Sequence, residues 1–216
     1  IATRNGGTLQ FPEGDFLVTA PIVLPSGITI QGVGSLLTNA PTNNVNQRGA
    51  SRIRLRGTNR SIFRIGECTE RVQIRDIELY ADSTDRTIGI EAVGAYNSSQ
   101  DFFFERVTFN NFYRGIFVRG LDQTGKSWQF DYVKVKHCRF VFNTDAGIYN
   151  FTRNADWKIE GCFFLNPRRT ATQRGDSMTF YHGALILVQD TFGGGFAGAK
   201  GGAFINLIDN SNLTVI

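Results

Sequence analysis

Val133-Lys134-Val135-Lys136 and Trp157-Lys158-Ile159-Glu160, 24 residues apart, alternate large apolar residues with charged ones. A period of two puts one set of side chains on each face of an extended strand. Working outward from these stretches, Val135 and Ile159 belong to a set of five residues that open the same phrase: Ile74, Phe104, Val135, Ile159 and Leu187, at steps of 30, 31, 24 and 28. Each has an apolar partner at plus five, in Leu79, Phe109, Phe140, Phe164 and Phe192. The first four carry Ile77, Val107, Cys138 and Cys162 at plus three, and at minus two stand Val72, Phe102, Val133, Trp157 and Leu185. Imperfect copies at such a period are stacked units that bury a core only by sitting on one another.

A second strand, announced by glycine, falls between copies: Gly89-Ile90, Gly115-Ile116, Gly147-Ile148 and Gly202-Ala203-Phe204. No apolar stripe recurs at helical spacing, and Phe, Val, Ile and Thr dominate the strand phrases. An all-β chain whose coil closes in roughly 24 to 31 residues, with two or three strands and no crossover helix, is predicted to be a right-handed, single-stranded parallel β-helix. Asn111 and Asn143 each stand four before the glycine of the next strand. They are candidates for a ladder that satisfies buried turn amides.

Gly6-Gly7-Thr8-Leu9-Gln10-Phe11-Pro12-Glu13-Gly14, then Val18, then Leu24-Pro25-Ser26-Gly27-Ile28-Thr29-Ile30-Gln31-Gly32-Val33-Gly34, resembles the first coil of the pectate-lyase-like superfamily, in particular its bacteriophage tailspike and polysaccharide depolymerase branch. The likeness covers the first 34 residues well and the later coils in pattern. It implies that residues 1–216 are a single β-helix domain, an excerpt lacking an N-terminal cap and a C-terminal part. It also implies a homotrimer in a virion tail, among other tail proteins, that binds and depolymerises a bacterial surface polysaccharide. Alternatives from the same resemblance are a secreted monomeric lyase or hydrolase and a noncatalytic spike or adhesin acting as a stiff rod.

With 41% apolar and 19% charged residues, the chain has enough apolar side chains for one ample core, and its 19 phenylalanines suit interior stacks. No apolar run is long enough to cross a membrane as a helix, so membrane insertion is not expected. The formal charge of +4, with arginine far outnumbering lysine, favours an anionic partner but is no nucleic-acid footprint. Three cysteines argue against a disulfide framework. Cys138 and Cys162 share a ladder position and read as small buried hydrophobes. Segments 35–51, 120–127 and 167–177 read as surface insertions, the places where solenoids build binding surfaces.

Gly120-Leu121-Asp122-Gln123-Thr124-Gly125-Lys126-Ser127 matches the phosphate-loop spacing, but that chemistry needs a helix after the serine. Residues 128–136 alternate as a strand instead. Gly193-x-Gly195-x-x-Gly198 likewise opens no helix, and Arg174-Gly175-Asp176-Ser177 reads as a solvated turn.

Cleaving a polysaccharide takes two carboxylates, or a base beside groups that neutralise a uronate. An outward ladder reads Arg75, Glu105, Lys136, Glu160, Val188. Glu105 and Glu160, two coils apart at about 4.8 Å per coil, approach the separation of an inverting pair. The alternating signs also suit a solvated, charge-paired face. Asn143-Thr144-Asp145 resembles the N-T-D signature of polygalacturonase-type hydrolases, although Arg168 and Arg169 stand where that family has an aspartate pair, and His182-Gly183 is misplaced for its H-G. Arg114, Asp145 and Arg169 fall on successive coils. Asp145, Arg169, Glu105 and Glu160 are therefore the candidate catalytic residues, and Arg114, Arg168, Trp128 and Tyr181 the candidate glycan contacts. No metal or cofactor is expected, except Ca2+ if the reaction is of the lyase type.

Overall fold

The computed structural model describes residues 6–35, 49–94, 97–120, 128–152, 156–165, 175–181, 185–193, 204–208 and 212–216. Within them every strand pairing is parallel and no helix occurs. The chain is a parallel β-solenoid. The main path of its larger sheet runs Gly7–Gln10, Ile28–Gln31, Glu70–Ala81, Ser99–Asn110, Phe130–Lys136, Asp156–Glu160, Leu185–Gln189, Asn212–Val215. Gly14–Val18, Ser51–Leu55, Arg139–Val141, Phe163–Leu165 and Phe192–Gly193 branch from it as a second arm. A second sheet stacks Ile22–Leu24, Ser61–Ile65, Ile88–Gly94, Arg114–Gly120, Ala146–Phe151, Asp176–Tyr181 and Ile205–Ile208.

One left-handed residue makes the corner between the two arms. Asp76, Arg106, His137, Gly161 and Asp190, with φ of 57°, 51°, 51°, 60° and 46°, occupy that corner in successive coils. The conformation is costly outside glycine, by about 1–2 kcal/mol. It is tolerated because the ladder continues through the bend: the His137 N–H donates to Glu160 O at 2.8 Å and the Gly161 N–H to Gln189 O at 3.0 Å. In Glu70–Ala81 and Ser99–Asn110 the strand runs unbroken around this corner.

Inside, identical positions stack. Ile74, Phe104, Val135 and Ile159 are in register, as are Leu79, Phe109, Phe140 and Phe164. The Phe109, Phe140 and Phe164 rings lie nearly parallel, with centroids 4.7 and 4.6 Å apart. That separation is the strand spacing itself, so one ring per coil fills the stack without a gap. Gly89, Gly115 and Gly147 lie against these rings. A Cβ on Gly115 would come within 2.6 Å of Gly147 O and 2.8 Å of the Phe140 ring, so the glycine that announces the second strand is required by packing. Ser177 and Phe204 take its place in the next two coils, whereas Gly202 lies outside the described residues.

The fifth copy differs from the expected register by one residue. Val188, not Leu187, pairs with Ile159, and Ile186, not Leu185, pairs with Trp157. Gly193 aligns with Phe164, leaving Phe192 69% exposed. Leu185-Ile186-Leu187-Val188 is uniformly apolar, so alternation cannot fix its register, and a one-residue slip exchanges its faces. Cys138 and Cys162 are buried, free thiols, as their ladder position implies. Asn111 and Asn143 both satisfy turn backbone, donating to Ala81 O at 2.7 Å and Phe109 O at 3.2 Å. Asn111 is nevertheless level with Phe142 and one position short of Asn143.

Gly115→Ala is expected to destabilise the protein by about 1–3 kcal/mol through overpacking against a backbone carbonyl. Urea denaturation checks this, and an unchanged midpoint would contradict the packing described.

A candidate ligand-binding face on the second sheet

Strands of the second sheet send alternate side chains outward, and parallel register lines them up along the solenoid axis. One row on the outer side is Arg64, Glu91, Phe117, Tyr149, Thr179 and Asn206, of which Tyr149 and Thr179 are covered and buried. The next contains Val93, Arg119 and Phe151, with Tyr181 against Phe151 at 5.0 Å between ring centroids. Four aromatic side chains thus meet on three adjacent strands. The Tyr149 and Tyr181 hydroxyls are hydrogen-bonded at 3.1 Å, and Phe117 meets Tyr149 edge to face at 5.6 Å.

Arg114 and Asp145 hold the border of this panel. Both lie where the turn enters the second sheet, and the turn repeats coil to coil: Asp145 N–H donates to Tyr113 O, and Asp176 N–H to Asp145 O, each at 2.9 Å. The Arg114 Nε donates to Asp145 Oδ2 at 2.6 Å, with side chains only 15% and 5% exposed. The same guanidinium lies 3.8 Å from the Tyr149 ring centroid, 4.2 Å from that of Phe117 and 5.0 Å from that of Tyr113. A cation so enclosed gains from the ring faces and from its carboxylate together. It fixes the orientation of the rings around it.

Of the residues singled out in sequence, Arg114, Asp145 and Tyr181 therefore come together. Arg168 and Arg169 lie outside the described residues, as does His182. Trp128 has no exposed surface: it packs in the core against Phe130 and above Gly94, where a Cβ would meet its ring at 2.3 Å. Its place at a strand start, next to inward-facing Phe130, sends it into the core, and it offers no face to a sugar.

Glu105 and Glu160 belong to the larger sheet, on the ladder Arg75, Glu105, Lys136, Glu160, Gln189. The last member is Gln189 and not Val188, through the same slip. Glu105 pairs with Arg106 at 2.7 Å, and Glu160 with Lys158 at 3.2 Å and Lys136 at 3.6 Å. The hydrogen bond from Lys158, with Lys136 nearby, holds the Glu160 carboxyl below its usual range. A general acid needs the opposite shift.

Sequence reading missed Phe117, Tyr149 and Phe151, although Gly-Ile-x aligns Glu91, Phe117 and Tyr149 once the glycine strands are superposed. It also missed Asp131 and Asp156 on neighbouring coils, where the Asp156 N–H donates to Asp131 Oδ1 at 3.3 Å. Burial, with the Asp156 charge adding to it, pushes the Asp131 carboxyl up to about 6. No group of three or more His, Cys, Asp or Glu side chains converges among the described residues.

No family model matches this sequence. No curated protein matches it. Among solved structures, ORF18 of Geobacillus virus E2 is similar over 98% of this chain and 54% of its own, at 14% sequence identity and a TM-score of 0.42. The chain thus spans about half the length of that protein. Fold and face together define a parallel β-solenoid with a polar and aromatic lateral surface.

A carboxyl raised from 3.8 to about 6 contributes stability that is full below its unfolded value and lost as pH rises through 6. Asp131→Asn should remove this loss and melt above wild type at pH 7. Carboxyl NMR titration should place the Asp131 midpoint near 6; a midpoint in the ordinary aspartate range would refute the assignment.

Proposed function

We propose that this chain is the glycan-reading solenoid of a tailspike-like phage protein, which binds and depolymerises a bacterial surface polysaccharide. The observation that carries the reading is the panel of Phe117, Tyr149, Phe151 and Tyr181 gathered beside the Arg114–Asp145 pair. Sugar rings present apolar faces and polar rims, and partly exposed aromatic rings with hydroxyl and charged neighbours complement both. The resemblance of the first coil to tailspikes supports the same reading, with a homotrimer in the virion tail as the working assembly.

In this reading Tyr181 stacks on sugar, while Tyr149, itself buried, supports it from below through their hydroxyl hydrogen bond, and Arg114 keeps Tyr149 and Phe117 in place. Cleavage is assigned, from the sequence pattern, to Asp145 with Arg169, and glycan contact to Arg168; both arginines lie outside the described residues. Glu105 and Glu160, on the other sheet, remain the second candidate pair.

Tyr181→Ala should weaken binding to the cognate glycan about two- to tenfold, since one aromatic contact contributes roughly 0.5–1.5 kcal/mol. Calorimetric titration across a panel of bacterial surface glycans measures this. New ultraviolet-absorbing unsaturated ends would identify a lyase, and new reducing ends without that absorbance a hydrolase. Full-length protein that binds no glycan on the panel and releases neither product would leave the stiff-rod reading in its place.

A further inference from the structure

The Arg114 charge is already matched. Asp145 sits on its Nε at 2.6 Å, three rings enclose it, and 15% of its side chain remains exposed. An acidic group on a ligand would have to displace Asp145 to reach it, stripping a nearly buried carboxylate of its cation, which is strongly unfavourable. The cation that an acidic glycan can use must lie elsewhere on this face.

Two arginines stand at the panel's other border. Arg64 projects outward from Ser61–Ile65, directly in register with Glu91. It is exposed and forms no ion pair among the described residues. Arg119 projects from Arg114–Gly120, two residues beyond Phe117, with 39% of its side chain exposed. Its guanidinium carbon is 6.0 Å from the Phe117 ring centroid, and its strand partner in the next coil is Phe151. Glu91 lies between the two arginines. Its Oε1 accepts from Arg119 Nε at 3.4 Å and Nη2 at 3.3 Å, and Ser61 Oγ donates to its Oε2 at 3.3 Å. Two guanidinium groups and one carboxylate stand here, Glu91 engaging Arg119 alone, so these three groups carry a net charge of about +1 at neutral pH. Glu91 engages the Nε and Nη2 edge of Arg119. A planar guanidinium still has its Nη1 edge for a second carboxylate or a phosphate.

We propose that Arg64 and Arg119 form the anion-reading subsite of this face, recognising the carboxylate of a uronic acid residue whose neighbouring sugar stacks on Phe117 and Phe151. Arg114 is then a positioning residue that holds the rings. The subsite rests on the glycan-binding reading above and assigns its ligand a charge and a direction. Arg64, Glu91 and Phe117 stand on successive strands, two steps or about 10 Å at the usual spacing, so the glycan lies along the solenoid axis with its acidic residue over the Arg64 and Glu91 strands.

The test compares full-length wild type with the Arg64→Gln/Arg119→Gln double variant, using uronate-containing oligosaccharides and their carboxyl-reduced counterparts as probes. Wild type should prefer the acidic probe, with affinity that falls as salt rises. The double variant should lose about tenfold or more on the acidic probe, bind the reduced one as wild type does, and lose the salt dependence. Arg114→Lys should weaken both probes alike. In wild-type NMR spectra the acidic probe should shift the Arg119 Nε–H resonance more than that of Arg114. Equal losses on both probes, or none, overturn the subsite while leaving glycan binding intact. Wild type that binds neither these probes nor any surface glycan overturns both.

Discussion

Each coil must offer its backbone N–H and C=O groups to the next at one strand spacing, and everything else in this molecule is fitted to that interval. The requirement turns each sequence position into a ladder running the length of the solenoid. It explains why a single left-handed residue recurs at the same corner from Asp76 to Asp190, since any other bend would carry neighbouring coils out of step. It also explains the phenylalanines. Flat rings stacked at 4.6–4.7 Å fill the interval coil after coil, provided that the facing strand presents glycine.

Repetition makes charge hazardous, because like charges on one ladder would stand about 4.8 Å apart. One ladder of the larger sheet answers with alternating signs from Arg75 to Glu160, although Lys134 and Lys158 stand side by side on another. A costlier arrangement is buried in the second arm. There Arg52 Nε meets Glu78 Oε2 at 2.9 Å, and Asn110 Nδ2 donates to Glu78 Oε1, also at 2.9 Å. Burial raises the Glu78 carboxyl despite both partners, showing desolvation still outweighing pairing. The second sheet follows neither plan. Its row from Arg64 to Asn206 passes from charged to aromatic to polar, a gradient of chemistry along the axis that uniform stacking does not call for.

Much of this was legible before any coordinates. The period of two within phrases and the steps between them led to the parallel solenoid, and the first four members of each core stack follow from spacing alone. Arg114 and Asp145 were placed together because successive coils were superposed by the same spacing. Where the sequence lost its alternation, at Leu185-Ile186-Leu187-Val188, register could not be read. Trp128 was misplaced for a related reason: beside an insertion, periodicity does not tell an inward from an outward aromatic.

Local pattern by itself determined that the chain is built of short strands, that its units repeat, and which faces turn inward, because alternation and periodicity are properties of neighbours in sequence. Only the tertiary structure decided which outward residues meet. Phe117, Tyr149 and Tyr181 are separated by about thirty residues at each step, yet they share a face through register. Whether an arginine is available to a ligand was settled there too. Arg114 and Arg119 stand five apart on one strand, but one is enclosed by Asp145 and three rings while the other remains 39% exposed. Burial and pairing depend on what adjacent coils bring alongside, and a residue's neighbours in sequence do not contain that information.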